Sequence, residues 1–231
     1  MGRISIASGS GLALHQEYYP GFTGYNAFWA LALFDNRLTH HKRDANGWHQ
    51  YALLTDRASA PAPIVNVIDK GEYDYTSSSH YETSLALVLE GNTLTEFIIP
   101  AGRYTSTIQF DRGHVLSTSA TGAAALIQGT FDRRSGPGNL EALVLEGTNI
   151  IHYWKDYSYG FRSWNRGVTV AQNASGPACL IQSDFDRNLE ALILEEDKLV
   201  HYWRSTDRFE WHRGVTVAEG VTGPATMIQS G

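Results

Sequence analysis

The chain has 231 residues, 42% of them apolar and 18% charged, so it can form a hydrophobic core and does not have the composition of a disordered protein. Eighteen basic and 24 acidic residues give a formal net charge of −6, which argues against nucleic acid or an anionic membrane surface as the main partner. The 22 glycines, 12 tyrosines, nine phenylalanines and six tryptophans are typical of strands and turns.

The predicted elements are β-strands throughout, because short apolar runs alternate with Gly, Asn, Asp and Ser and none keeps the periodicity of a helix. Residues 1–10 predict a single closing strand. Four copies of a four-strand unit follow, over about residues 11–60, 61–121, 122–175 and 176–231. The first two copies are degenerate, with WALALF from Trp29 and SLALVLEG from Ser84 in the same position.

The second copy contains the longest predicted loop, residues 69–82, which is rich in tyrosine and serine. Loops on a rigid scaffold often carry function, so this loop is interpreted as a lid or as a surface for a protein partner. A solvated insertion without function is the alternative.

The last two copies match each other closely. NLEALVLE from Asn139 returns as NLEALILE from Asn188, and IHYWK from Ile151 returns as VHYWR from Val200. Four strands in about 50 residues is the unit of a β-propeller blade. We therefore predict one all-β domain over residues 1–231, a small propeller of four blades, with a reduced fifth blade from the termini as the alternative.

A repeated Arg-Gly pair follows a repeated glutamate in three copies. The arginines are predicted to pair with the glutamates that end the apolar strand, a packing role, and the residues are Arg112, Arg166 and Arg213 with Glu90, Glu146 and Glu195.

Tryptophans and histidines recur in the HYW segment, where period-2 alternation places His152 and Trp154 on one face of the strand. Trp154, Trp164, Trp203 and Trp211 are predicted to fill the spaces between blades, or to provide platforms for the C–H face of a sugar. The glutamines of the innermost strand are predicted to line a central channel or to bond one another.

The aromatic and polar residues are concentrated unevenly among the copies, which favours one dominant asymmetric ligand pocket over symmetric sites. The predicted ligand-binding residues are His15, Tyr19, Trp29, His40, Trp48, Gln128, His152, Trp154, Gln182, His201, Trp203 and Gln229. No catalytic residue is identified.

Metal and cofactor motifs are absent from the sequence, so no cofactor and no metal site are predicted. His40 and His41 are adjacent and point to opposite faces of a strand, and the single cysteine, Cys179, excludes both a disulfide and a cysteine zinc cluster.

The LVHYWR segment from Leu199 and the repeated NLEAL resemble the signatures of tandem-repeat β-propeller proteins of bacteria and fungi. The resemblance covers about residues 24–231 and is sharpest from Asn139 onward. It implies a lectin-like propeller, although the specific sugar-binding motifs of such lectins are not intact here.

Two functions are consistent with these observations. The first is lectin-like binding of a carbohydrate or another small molecule. The alternative is a metal- and cofactor-independent enzyme of natural-product biosynthesis, a cyclase resembling hetero-Diels–Alderases, that holds a polyketide or terpenoid in the same pocket.

Localisation and assembly are less constrained by the sequence. Because no apolar run approaches the length of a membrane span and no signal peptide begins the chain, we expect a soluble protein without a membrane partner. The sequon at Asn173 is compatible with secretion. Compartment, ligand and oligomeric state stay open.

Overall fold

A computed structural model describes residues 12–16, 28–44, 46–68, 82–99, 110–130, 138–156, 163–184, 186–223 and 225–227. Every regular element in these ranges is a β-strand, and the sixteen strands form four antiparallel sheets of four. The all-β class and the four-strand unit predicted from the repeat are therefore confirmed. The terminal segments that predict extra strands, residues 1–10 and 228–231, lie outside the described residues.

Strands follow chain order within each sheet. The first sheet contains β1 (Leu12–Gln16), β2 (Phe28–Phe34), β3 (Arg37–Asp44) and β4 (Gly47–Thr55), and the second contains β5 (Ile64–Ile68), β6 (Glu82–Glu90), β7 (Thr93–Ile99) and β8 (Asp111–Ser117). The third contains β9 (Ala120–Gln128), β10 (Leu140–Glu146), β11 (Asn149–Lys155) and β12 (Asn165–Ala171). The fourth contains β13 (Cys179–Gln182), β14 (Leu189–Glu195), β15 (Lys198–Arg204) and β16 (Trp211–Ala218).

Consecutive sheets pack face to face around three hydrophobic clusters, one between each neighbouring pair. Their first strands are neighbours in the order β1, β5, β9 and β13. In β10, Leu140, Ala142 and Val144 face the second sheet, whereas Leu143 and Leu145 face the fourth. Because both faces are covered, the strand is apolar at nearly every position, which explains the LEALVLE pattern.

The two ends of each sheet differ. At one end, which we call the hairpin end, two-residue turns at 35–36, 91–92, 147–148 and 196–197 join the second strand to the third. The chain also passes from sheet to sheet at this end. The opposite end, the loop end, carries the connections between first and second strands and between third and fourth strands. Of the loop predicted at residues 69–82, residues 69–81 lie outside the described residues and Glu82 begins β6.

The repeated arginines pair with the repeated glutamates as predicted. Arg166 donates to Glu146 at 2.9 Å and Arg213 donates to Glu195 at 2.8 Å, and Arg112 and Glu90 form the same pair in the second sheet. Tyr202 also donates to Glu195. Burial and this bond raise the pKa of Tyr202 to about 12. These pairs join strands within a sheet.

Candidate functional site

Most of the predicted ligand-binding residues share one position in the fold, the loop end of a sheet. Those within two residues of a strand end there are His15, Trp29, Trp48, Gln128, Trp154, Gln182 and Trp203. His15 lies opposite Trp29 in the β1–β2 register. Tyr19 and Gln229 fall outside the described residues, and for His15 and Trp29 the backbone alone is described.

Three of the four predicted histidines, His40, His152 and His201, occupy one equivalent position, in the middle of the third strand of their sheets. Two of them, His40 and His152, are only 2% exposed, and they lie at different sheet interfaces. His152 is bonded through Nε2 to Glu141 at 2.6 Å, and His201 is bonded to Glu190 at the same distance. Burial between sheets indicates a packing role for His40 and His152, whereas His201 keeps an exposed edge.

Glu96 takes this position in the second sheet. It is fully buried and accepts two bonds from Lys155 Nζ, at 2.9 and 2.8 Å, and one from Trp164 Nε1 at 2.6 Å. Lys155 and Trp164 belong to the third sheet, so these bonds join two sheets. The second copy therefore uses a charged pair where the third uses a Glu–His pair within one sheet.

The innermost-strand glutamines bond the main chain. Gln182 accepts from the Thr130 amide at 2.6 Å and donates to the Arg187 carbonyl at 3.0 Å, and Gln128 donates to the Gly138 carbonyl at 3.4 Å. Gln182 thus connects the third and fourth sheets at the loop end. Neither amide bonds the other.

Two of the four repeated tryptophans pack between sheets, as the packing interpretation predicted. Trp164 contacts the cluster between the second and third sheets, and Trp211 contacts the cluster between the third and fourth. Trp203 has a different environment, because its ring is part of an open cavity.

A cavity of about 560 Å³ opens at the loop end of the fourth sheet. Two turns form it, one between β13 and β14 and one between β15 and β16. The lining residues are Asp186, Asn188, Trp203, Ser205, Thr206, Asp207, Arg208 and His212. Trp203 and His212 are paired in the β15–β16 register, and their rings stack with centroids 4.1 Å apart and planes 27° apart. Each ring therefore covers one face of the other, and the pair lies inside a polar rim.

The rim carries charges of both signs on exposed side chains. Asp207 and Arg208 lie 3.9 Å apart, and the Thr206 hydroxyl donates to the Asp186 carbonyl at 3.2 Å, which ties the two turns together. The rim therefore offers carboxylate acceptors beside a guanidinium donor, an arrangement suited to a polyhydroxylated ligand.

Both turns hold non-glycine residues in left-handed backbone conformations: Asp186 at φ 51°, Arg187 at φ 57° and Phe209 at φ 58°. Such conformations cost about 1 kcal/mol or more per residue and persist where the surroundings fix them, often at binding sites.

Of the residues that line the cavity, Trp203 is the one that the sequence predicts as ligand-binding, and the residues around it are not among the predicted ones. The signal was present in the STDR segment, residues 205–208, and in His212, because the third copy has Asn165 at the position of His212. These polar residues can be recognised as one candidate site only when the two turns are known to lie side by side at one end of the sheet.

The described residues contain no group of three or more His, Cys, Asp or Glu side chains that could hold a metal ion. The same part of the chain has no helix long and apolar enough to cross a membrane. No protein-family model matches the chain, and no curated protein is significantly similar to it.

Proposed function

We propose that this protein binds a carbohydrate in the cavity at the loop end of the fourth sheet. The observation that carries the proposal is the stacked Trp203–His212 pair inside a polar rim. An indole face packs against the apolar C–H face of a pyranose ring, while the hydroxyls at the ring edge need donors and acceptors around it.

The rim supports this chemistry. The carboxylates of Asp186 and Asp207 accept from sugar hydroxyls, and Asn188 and Arg208 supply donors. The volume of about 560 Å³ falls within the range of about 300–1,000 Å³ that is usual for small-molecule sites. A mono- or disaccharide fits this space.

We also propose that the four sheets are blades of a β-propeller. The order of neighbouring first strands and the three interfaces between consecutive sheets support this arrangement. A propeller presents the loop ends of its blades on one side of the ring, where the cavity then opens.

The alternative of a natural-product cyclase has less support. A polyketide or terpenoid needs an enclosed, largely apolar pocket to exclude water and hold a reactive conformation. The cavity on the fourth sheet is open, and its rim is polar and charged.

Titration calorimetry with a panel of neutral saccharides tests the binding proposal. We expect one site per chain and at least a tenfold loss of affinity in Trp203→Ala, because an aromatic ring that the ligand covers often contributes more than about 1.4 kcal/mol. Trp154→Ala is the matched control, since Trp154 holds the same register position in the third sheet and should leave affinity unchanged. Equal losses in both variants, or no saccharide binding, would contradict the proposal.

A further inference from the structure

In the first three sheets, the residue in the middle of the third strand is covered by an aromatic residue from the next sheet. In three cases the aromatic stands at the start of the fourth strand: Phe110 covers His40, Trp164 covers Glu96, and Trp211 covers His152. Ring centroids lie 5.5 Å apart for Phe110 and His40, and 5.7 Å apart for Trp211 and His152, both edge to face. An aromatic residue of the second, third and fourth sheets thus covers a mid-strand residue of the sheet before it.

In the fourth sheet the equivalent residue is His201, and it is not covered in the same way. His201 is held by Glu190 just as His152 is held by Glu141, yet the His201 side chain is 32% exposed, against 2% for His152. The face of the fourth sheet that carries His201 corresponds to the face of the third sheet that packs against the fourth, but here the histidine is accessible.

The first sheet carries the matching aromatic. Trp48 lies opposite Arg43 at the start of β4, as Trp211 lies opposite Arg204 at the start of β16. By strand alternation Arg43 and Trp48 point away from the second sheet, because His40 points toward it. Trp48 therefore belongs to the face that would meet a preceding sheet.

A second contact fits at the hairpin end. Hydroxyls in the segments that enter each next sheet donate to the carbonyl of a leucine near the end of its second strand: Ser59 to Leu89, Thr121 to Leu145, and Ser175 to Leu194. Thr222 is exposed and follows Val221, whose amide donates to the Asp197 carbonyl as Ala58 does to Asn36. The leucine in the equivalent position of the first sheet is Leu33.

A third contact is complementary in polarity. Thr55 donates to Glu90 at 2.5 Å and Ser117 donates to Glu146 at 2.6 Å, each across a sheet interface. The corresponding residues are Ala218 on the fourth sheet and Phe34, 59% exposed, on the first. Between the third and fourth sheets the equivalent residues are Ala171 and Glu195, so an alanine at the hydroxyl position is not specific to the fourth sheet. The feature specific to the first sheet is the exposed apolar Phe34, and Ala218 offers it an apolar partner.

We propose that the exposed face of the fourth sheet docks the first sheet of the same chain, with Trp48 against His201, so that four sheets close the ring. The tether makes this contact intramolecular and gives the first sheet a high effective concentration at the fourth. Docking covers His201 and leaves Trp203 accessible at the loop end, because Trp154 stays partly exposed beside the covered His152. The inference does not depend on carbohydrate binding.

Cross-linking tests the occupant directly. In a Cys179→Ala background, Phe34→Cys with Ala218→Cys is treated with a short bis-maleimide and analysed by intact mass and denaturing gel. We expect an efficient link within one chain. Phe34→Cys with Val168→Cys, on the third sheet, is the control pair and should stay unlinked within the chain. A link only between two chains, which identifies a second copy as the occupant, or a yield equal to the control, would overturn the proposal.

A double-mutant cycle supplies a second readout on folded protein. Trp48→Ala and His201→Ala should be non-additive in urea unfolding, with a coupling of about two- to tenfold in the folding equilibrium constant, as is typical of aromatic pairs. Trp48→Ala with His152→Ala should be additive, because Trp211 covers His152. Additivity in the Trp48–His201 pair would refute the contact even if both variants fold.

Discussion

At the residue scale, the glycine of the Arg-Gly pair is required by the close approach of a residue on the neighbouring strand. A Cβ at Gly167 would lie 3.0 Å from the His152 carbonyl, and one at Gly214 would lie 2.9 Å from His201 Nδ1. A Cβ at Gly113 would lie 2.6 Å from Glu96 Oε1. The arginine pairs with its glutamate, while the glycine makes room for the His or Glu beside it.

Gly113→Ala should lower the free energy of unfolding by about 1–3 kcal/mol, because Glu96 is held by Lys155 and Trp164 and cannot move away. Urea denaturation measures the change. Gly223→Ala is the control, since its Cβ would meet nothing within 4 Å, and it should change stability by less than about 0.5 kcal/mol. A smaller effect for Gly113→Ala than for Gly223→Ala would show that Glu96 is free to move.

The sequence predicted the arginine–glutamate pairs but not the reason for the glycine. Both charged residues recur once per copy, so their complementarity is visible in the pattern alone. Gly113 lies beside Glu96, which is on another strand, so this contact depends on the register between β7 and β8. The exposure of His201 was unpredictable for the same reason, because its cover must come from another sheet.

At the element scale, the hairpin turns differ in how well their residues suit the backbone. Gly91 at φ 61° and Gly147 at φ 62° begin two of these turns, and Glu196 begins the fourth at φ 55°. Glycine adopts this left-handed conformation without strain, whereas a residue with a Cβ pays a steric cost.

Glu196→Gly should therefore raise the free energy of unfolding by about 0.5–1 kcal/mol, because relief of strain exceeds the entropy that glycine adds to the unfolded chain. Thermal and urea unfolding measure the gain. Glu196→Ala removes the same side chain but keeps the Cβ, so it should give no comparable gain. Equal stabilisation by alanine and glycine would point to the lost carboxylate instead.

The strands themselves were predictable because each copy carries its own apolar runs and turn residues. The cavity was not, since its two turns lack periodicity and are separated in sequence by β14 and β15. Their meeting at one end follows from antiparallel pairing. Only Trp203, marked by the repeat, was identified beforehand.

At the scale of the whole molecule, three partly buried ion-pair networks link stability to pH. Burial raises the pKa of Glu90, Glu146 and Glu195, but hydrogen bonds from arginine, tyrosine and hydroxyl groups outweigh it and hold each pKa below the ordinary value. A carboxyl with a lowered pKa in the folded state stabilises the fold above its unfolded pKa. That stability is lost as the pH falls through the folded value.

We expect the urea midpoint to stay level from neutral pH down to about 4.5, the ordinary glutamate value, and to fall below it. Glu146→Gln should be less stable at neutral pH and should lose less on further acidification, because one of the linked carboxyls is gone. Midpoints measured across an acid series distinguish the two profiles. Parallel profiles would exclude Glu146 from the pH dependence.

The molecule's overall architecture was predictable only as far as neighbouring copies resemble one another. Repetition from Asn139 onward indicated stacked sheets, and the structure has them. The proposed ring closure involves the first copy, where Phe34 and His41 replace the glutamate and tyrosine of the third copy. Because the first copy has lost these repeated residues, the sequence does not show which face of the first sheet packs against which neighbour.

The contrast between hairpin end and loop end has an evolutionary consequence. Turn residues at the loop end, such as those of the β15–β16 turn, can be exchanged while the aromatic residue at the start of each fourth strand and the Gln182–Thr130 bond are kept, because those contacts between sheets lie at the same end. Ligand preference can therefore change while the sheets stay packed, provided that substitutions spare these few residues.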